Sequence, residues 1–220
     1  MTAGRIAVVD VGLGNIHSLL ACLRRLAGAA QVELVADAAA LADAACVVLP
    51  GDGAFSACVA EIDARPGLRE ALADAAQSKP FLAICVGLQL LYEGSEEGAG
   101  AGLGLLPGTV RRFPARPGAK IPLMGWLDVE LDAEHPCCAG LRPAERFYFL
   151  HSYHAPADGD GIVMRAEHTA PFAAAVARGQ LLATQFHPEK SARAGVRLRR
   201  TGSKRWPGAW RPCGKPVDFL

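Results

Sequence analysis

The 220-residue sequence contains no apolar run approaching the roughly 20 residues that a membrane-spanning helix needs, although 51% of its residues are hydrophobic. A helical membrane anchor is therefore not expected. The segment MTAGRIAVVDVG lacks the succession of charged, apolar and small residues that marks a secretory signal, and it runs straight into a strand. Cysteine occurs seven times (22, 46, 58, 85, 137, 138 and 213), an odd number without metal-ligand spacing. The pattern reads as reduced thiols of a cytosolic protein, not as a disulfide framework or a metal centre. Adjacent Cys137 and Cys138 would suit a soft metal, but chance in a loop explains them more simply. Net charge is also missing: 23 Lys and Arg stand against 22 Asp and Glu.

That balance hides a division. Residues 193–220 hold eight Lys and Arg against one Asp, a net of +7, and the preceding 192 residues hold fifteen against twenty-one, a net of −6. Pro207, Pro212, Pro216, Gly202, Gly208 and Gly214 argue against a long helix in the terminal stretch. A basic arm for nucleic acid is one reading of it. We favour a plainer one, a tail over 199–220 that is frame-altered or disordered, following a single domain at 1–198. No nucleic-acid or membrane partner is expected.

What is present is an alternation of elements. Ile6–Asp10 reads as a strand, and Asn15–Ala29 as a helix with Leu19, Leu20, Leu23 and Leu26 on one face. Val32–Val35 and Cys46–Pro50 read as strands, Ala54–Ala64 and Pro66–Gln77 as helical. A strand then runs into Cys85. This order predicts an α/β fold with a mainly parallel sheet and helices on both faces. After Leu105 come shorter strands at Val129–Leu131, Arg146–His151, Ile162–Ala166 and Phe172–Ala177, expected as antiparallel additions. The glycine-rich EGAGAGLGLLPG reads as a flexible link and not a phosphate loop, because no helix start follows it.

Sites in such sheets form beyond the carboxyl ends of strands. Asp10, Pro50, Cys85 and His187 all fall at such ends. In FLAICVGLQ, Cys85 occupies the bend between a buried strand and a helix, where the amide of Val86 and the positive helix end face any charge on an attacked carbonyl. The position favours thiolate. In LLATQFHPEKS, an expected strand over Leu181–Phe186 leads to His187, and in extended chain Glu189 shares its side. Cys85, His187 and Glu189 are thus candidates for nucleophile, base and orienter. His151 is expected to be a packing residue, His154 a secondary candidate for proton transfer, and His17, His135 and His168 surface positions.

Six ordered motifs carry a resemblance: DVGLGN (10–15), LPGDGAF (49–55), ICVGLQ (84–89) with SEEG (95–98), KIPLMGW (120–126), FYFLHSYH (147–154) and QFHPEKS (185–191). The chain resembles the class I glutamine amidotransferases, and among them most nearly the glutaminase subunits of imidazole glycerol phosphate synthases. The resemblance implies that Cys85 attacks the side-chain amide of glutamine while His187 moves the proton and Glu189 orients it. It places Gln89, Glu97, Ser152 and Tyr153 at the substrate, with Glu97 pairing the α-ammonium. It makes the amides of Val86 and Asp52 the oxyanion donors, with Gly51 and Gly53 suiting a peptide that must rotate. It requires no cofactor and no metal. It also implies a partner, a cyclase/synthase subunit that uses the ammonia in histidine biosynthesis.

Departures from the family pattern are Val11, Ala83, Asp52, and Leu123 and Leu127 in the segment expected to face the partner. Those two leucines keep open a relative feeding another acceptor, such as a surface-polysaccharide sugar. A scaffold without catalysis is the remaining alternative.

Overall fold

The structure is a computed structural model, and it describes residues 4–12, 16–27, 31–132 and 134–202. Its centre is a nine-stranded sheet in which two pairing styles meet at one strand. The parallel part comprises β1 (Ile6–Val9), β2 (Val32–Val35), β3 (Cys46–Leu49), β4 (Phe81–Ile84) and β12 (Leu181–Thr184). Strands β1, β3 and β4 are buried along their whole length, which is why their sequences run as continuous aliphatics without alternation. Helices α1 (Ile16–Ala27), α2 (Ala38–Ala42), α3 (Phe55–Asp63) and α4 (Leu68–Ser78) supply the crossovers. In α1, Leu19, Leu20 and Leu23 are buried as the 3.6 period requires. Helix α2, which the sequence reading did not separate, is short and capped by Asp37 accepting from Ala40 N–H at 2.8 Å.

The antiparallel part continues the same sheet through β11 (Pro171–Arg178), β10 (Ile162–Glu167), β7 (Leu123–Leu131) and β8 (Glu145–His151). The full order is β2-β1-β3-β4-β12-β11-β10-β7-β8, with β12 parallel to β4 and antiparallel to β11. The antiparallel additions expected in the second half therefore join the central sheet directly. Strand β7 is much longer than Val129–Leu131, because its alternation of inward and outward residues begins at Leu123. A small three-stranded sheet combines β5 (Gly94–Ser95), β6 (Thr109–Arg112) and β9 (Tyr153–His154).

Three expectations need correction. The glycine-rich stretch is not a flexible link: Gly102, Leu103 and Leu105 donate backbone bonds to the carbonyls of Glu93, Leu90 and Leu91. Arg69 holds the carbonyls of Ala101 and Gly102 at 3.0 and 2.6 Å. Glycine serves here for close approach, since a Cβ at Gly102 would collide with the Tyr92 carbonyl. Second, Leu123 is buried and Leu127 packs against the core, so neither lies on an outer face. The large exposed side chains of that strand are Met124 and Trp126, at the alternate positions. Third, His135 and His168 are half-buried and bonded, His135 Nδ1 to Cys137 Sγ at 2.9 Å and His168 Nε2 to the Lys120 carbonyl at 2.9 Å.

Helix α6 (Ala192–Gly202) closes the described chain and reaches beyond the point where the tail was expected to break the pattern. It is tied down through residue 198: Ala194 and Leu198 are buried, and Arg197 makes a two-pronged pair with Glu145 on β8. Burial alone would raise the Glu145 carboxyl, but Arg197 and the Arg142 N–H hold it below the usual range. The rest of the expected tail, 203–220, lies outside the described residues.

Candidate active site

Cys85 sits between β4 and α5 (Val86–Gln89) with φ 55° and ψ −112°, a left-handed backbone conformation that a residue with a Cβ adopts only at a cost of about 1–3 kcal/mol. Packing enforces the bend. A Cβ at Gly87 would collide with the Leu49 carbonyl, and one at Gly51 with Val86 and Gly87, so the PGDG loop lies directly on the turn. Gly51 is thereby brought against Val86, and Gly53, two residues on, has φ 98°. Helix α5 is a single turn, shorter than the sequence suggests. Its macrodipole is correspondingly weak, and the local asset is the Val86 N–H, which lacks an intrahelical acceptor as the first residue of the turn.

Strand register delivers His187. Thr184 pairs with Ile84, and Cys85 N–H donates to the Thr184 carbonyl at 2.7 Å. The chain then leaves the sheet, and Pro188–Lys190 forms a 3-10 turn with His187 as its cap. His187 Nδ1 donates to Glu189 Oε1 at 2.8 Å. The contact expected from extended chain is made instead by this turn, in which proline at the first position needs no N–H acceptor. The fold completes the site from its far end: His187 N–H donates to the Tyr148 carbonyl at 3.0 Å, and Ser191 Oγ accepts from Tyr148 N–H at 3.0 Å. The edge of β8 thus folds back onto the turn.

Electrostatics follow from burial. Glu189 Oε2 and His187 Nε2 are buried with no aligned hydrogen-bond partner among the described residues. Burial pushes the imidazole down, but the Cys85 sulfur and the Glu189 carboxylate outweigh it and raise His187 to about 10. A carboxylate at 2.8 Å in a buried setting favours the imidazolium for the same reason. His151 goes the other way, to about 3, because burial dominates and only the Tyr153 carbonyl bonds Nδ1. His154 is also lowered by burial; its Nδ1 donates to the Ala155 carbonyl, and its ring stacks on Phe113 at 4.5 Å. Both are packed neutral residues.

The structure collects most of the remaining sequence candidates in two places. Gln89 is buried, and its Nε2 donates to the Tyr153 carbonyl at 2.9 Å while its Oε1 has no partner among the described residues. Tyr153 is half-buried, as is Ser152, whose carbonyl accepts from Phe113 N–H at 3.0 Å. Glu97 is anchored by α3: its Oε2 accepts from Phe55 N–H at 2.7 Å, at the start of that helix, which has no side-chain cap of its own. The Cys58 thiol on α3 is pushed up to about 12 by burial and then by the nearby charges of Glu97, Cys85, Asp52 and Glu61, so it stays protonated. A cleft lined by Pro50, Gly51, Asp52, His187, Glu189 and Lys190 reaches the histidine from the loop side. Among the described residues no group of three or more His, Cys, Asp or Glu is arranged to hold a metal ion.

A further residue, not singled out by its sequence context, touches Cys85. Gln185 is 0% exposed, with its Nε2 3.8 Å from Cys85 Sγ and its Oε1 3.2 Å from Gln89 Nε2. The signal was a polar residue closing an aliphatic strand.

Comparison with known proteins bears on the family and the fold. Residues 7–198 match the family model described as glutamine amidotransferase class-I. Over 201 residues the chain is 48% identical to the imidazole glycerol phosphate synthase subunit HisH of Thiobacillus denitrificans, covering 88% of each chain. It is 46% identical over 201 residues to the subunit of the same name from Aromatoleum aromaticum, covering 88% of this chain and 94% of that one. Among solved structures, PurLQS from Thermotoga maritima shares the fold, with a TM-score of 0.65, 20% identity and coverage of 90% and 97%.

Proposed function

The chain belongs to the class I glutamine amidotransferases, and from that membership we propose that it is the glutaminase subunit of an imidazole glycerol phosphate synthase. It hydrolyses glutamine to glutamate and ammonia and hands the ammonia to a cyclase/synthase subunit in the cytoplasm. The observation that carries this reading is the buried His187–Glu189 pair beside a cysteine held in left-handed backbone at a strand end.

The chemistry follows from these groups. Cys85 sulfur attacks the γ-carbonyl of glutamine, and the oxyanion is met by the N–H groups of Val86 and Asp52. His187, held protonated by Glu189, gives its proton to the departing nitrogen, and a γ-glutamyl thioester remains on Cys85. Water then attacks that thioester as His187 takes the proton back, releasing glutamate. Gln89 Oε1, buried without a partner among the described residues, is a ready acceptor for the substrate's ammonium, with Glu97, Ser152 and Tyr153 completing its amino-acid end. Ammonia leaves neutral and is lost to water unless a partner encloses it, so catalysis is expected to depend on that partner. In the reaction that the resemblance implies, it would then enter the imidazole ring of imidazole glycerol phosphate, with an aminoimidazole carboxamide ribotide as co-product.

The test is a glutaminase assay with and without the synthase subunit and its nucleotide ligand, on wild type and Cys85→Ala. The variant is expected to lose glutamine-dependent synthesis while ammonia-dependent synthesis by the partner persists. Loss of both would contradict the division of labour.

A further inference from the structure

Residue 185 sits next to Cys85 because β12 pairs in register with β4, Thr184 opposite Ile84. A fully buried amide at that place is costly unless bonded at both ends. Gln185 is bonded at both, and the polarity of its amide is fixed by a chain of three groups. The Tyr153 carbonyl can only accept, so the atom of Gln89 lying 2.9 Å away is its NH2. The second hydrogen of that NH2 points to Gln185 at 3.2 Å, so the facing atom of Gln185 is oxygen. Its NH2 is therefore turned to Cys85 Sγ at 3.8 Å.

Two bonding groups then face the sulfur with opposite preferences. The Leu150 carbonyl, 3.8 Å away, accepts from S–H and favours the thiol. The Gln185 N–H donates and favours the thiolate. The one-turn α5 offers little dipole to assist. The titratable groups nearby are His187 with Glu189 behind it, Asp52 in the loop that lines the same cleft, Glu97 at the start of α3, Cys58 on α3, which stays protonated, and His151 on β8, which stays neutral.

We propose that Gln185 is a positioning residue: it donates a hydrogen bond to the Cys85 thiolate and, through the same amide, locks the side chain of Gln89 in place. The inference rests on Cys85 being the nucleophile of the proposed reaction. It couples attacking atom and substrate pocket, since one rotation of the Gln185 amide would disturb both.

The experiment measures the rate of Cys85 carboxamidomethylation by iodoacetamide against pH, read at the Cys85 peptide by mass spectrometry, in full-length wild type, Gln185→Met, Gln185→Leu and Gln185→Glu. A bond to a charged acceptor predicts that the half-maximal point of the apolar variants moves up by about one pH unit, equivalent to tenfold less thiolate at a given pH. Gln185→Glu keeps the acceptor for Gln89 but turns a carboxylate to the sulfur, and should move it further. Glutamine turnover in the apolar variants should fall about tenfold in kcat at neutral pH and recover as the pH is raised, whereas a loss of packing would not be rescued. A folded apolar variant whose profile coincides with wild type overturns the assignment. Should neither apolar variant fold, Gln185→Glu decides alone, and an unmoved profile overturns it equally. If the profiles shift but wild type hydrolyses no glutamine with its partner present, the functional reading fails and the Gln185–Cys85 bond stands.

Discussion

The two ends of the sheet are built from different material. The parallel end packs aliphatic strands such as IAVV, CVVL and FLAI, buried throughout, between helices. The antiparallel end encloses an aromatic cluster, in which Phe147 stacks on Phe186 at 4.0 Å and Phe149 and Phe172 meet edge to face. The first end contributes the bend at Cys85 and the loop at Asp52. The second contributes carbonyls from the edge of β8 and its neighbours, at Tyr148, Leu150 and Tyr153. Strand β12 belongs to both, and the chain leaving it carries Gln185, His187 and Glu189. The proposed reacting groups therefore depend on two cores at once.

The comparison can be broken most severely at the shared strand. His187→Ala should lower glutamine turnover by about 10²–10⁴, the usual worth of a proton-transfer group, and Glu189→Ala by less, because an orienter is less essential than the group it orients. Steady-state kinetics with the partner present checks the order, and a reversed order would upset the roles. Next in size are the aromatics. Phe186→Ala and Phe172→Ala should each cost about 3–5 kcal/mol by denaturant titration, both side chains being fully buried. Only Phe186→Ala should also depress turnover in the folded protein, since its neighbour is His187. Equal effects on turnover would show that the two ends are not separable.

A finer test uses pH. His187 rises from about 6.5 in the unfolded chain to about 10 when folded. Its contribution to stability is therefore complete below about pH 6.5 and is lost as the pH climbs through about 10. The melting-temperature difference between wild type and His187→Gln should shrink steadily across that window; a constant difference would deny the imidazolium pairing. The smallest expected effect belongs to Asp52. Asp52 lines the cleft that reaches His187, and a carboxylate there opposes negative charge developing nearby, so Asp52→Ala should raise basal glutamine hydrolysis a few-fold, measured without the partner.

The sequence disclosed the aliphatic end better than the aromatic one. Continuous runs such as CVVL can only be buried strands, and the strand-glycine-helix order around Cys85 announces a bend from local chemistry. Strand β7 is longer than its sequence pattern suggests because Gly125 and Trp126 interrupt the alternation, although the pleat persists from Leu123 to Leu131. The 3-10 turn after His187 is equally opaque, since Pro188 suits extended chain as well. Longer-range contacts leave no local trace at all. Glu97 meets Phe55 N–H across forty-two positions, and Gln185 meets Gln89 across ninety-six. The glycine-rich stretch misled for a related reason, because freedom of backbone and close approach to a neighbouring carbonyl select the same residue.

The register of β4 with β12 joins Phe81 to Leu181, so the two halves of the proposed catalytic machinery are a hundred residues apart along the chain. Closing so long a loop is entropically expensive, and non-local parallel pairings of this kind form slowly. During synthesis Cys85 emerges well before its histidine exists. A partly made chain therefore holds an ordinary thiol, and reactivity is granted only when the last strand of the sheet is zipped in.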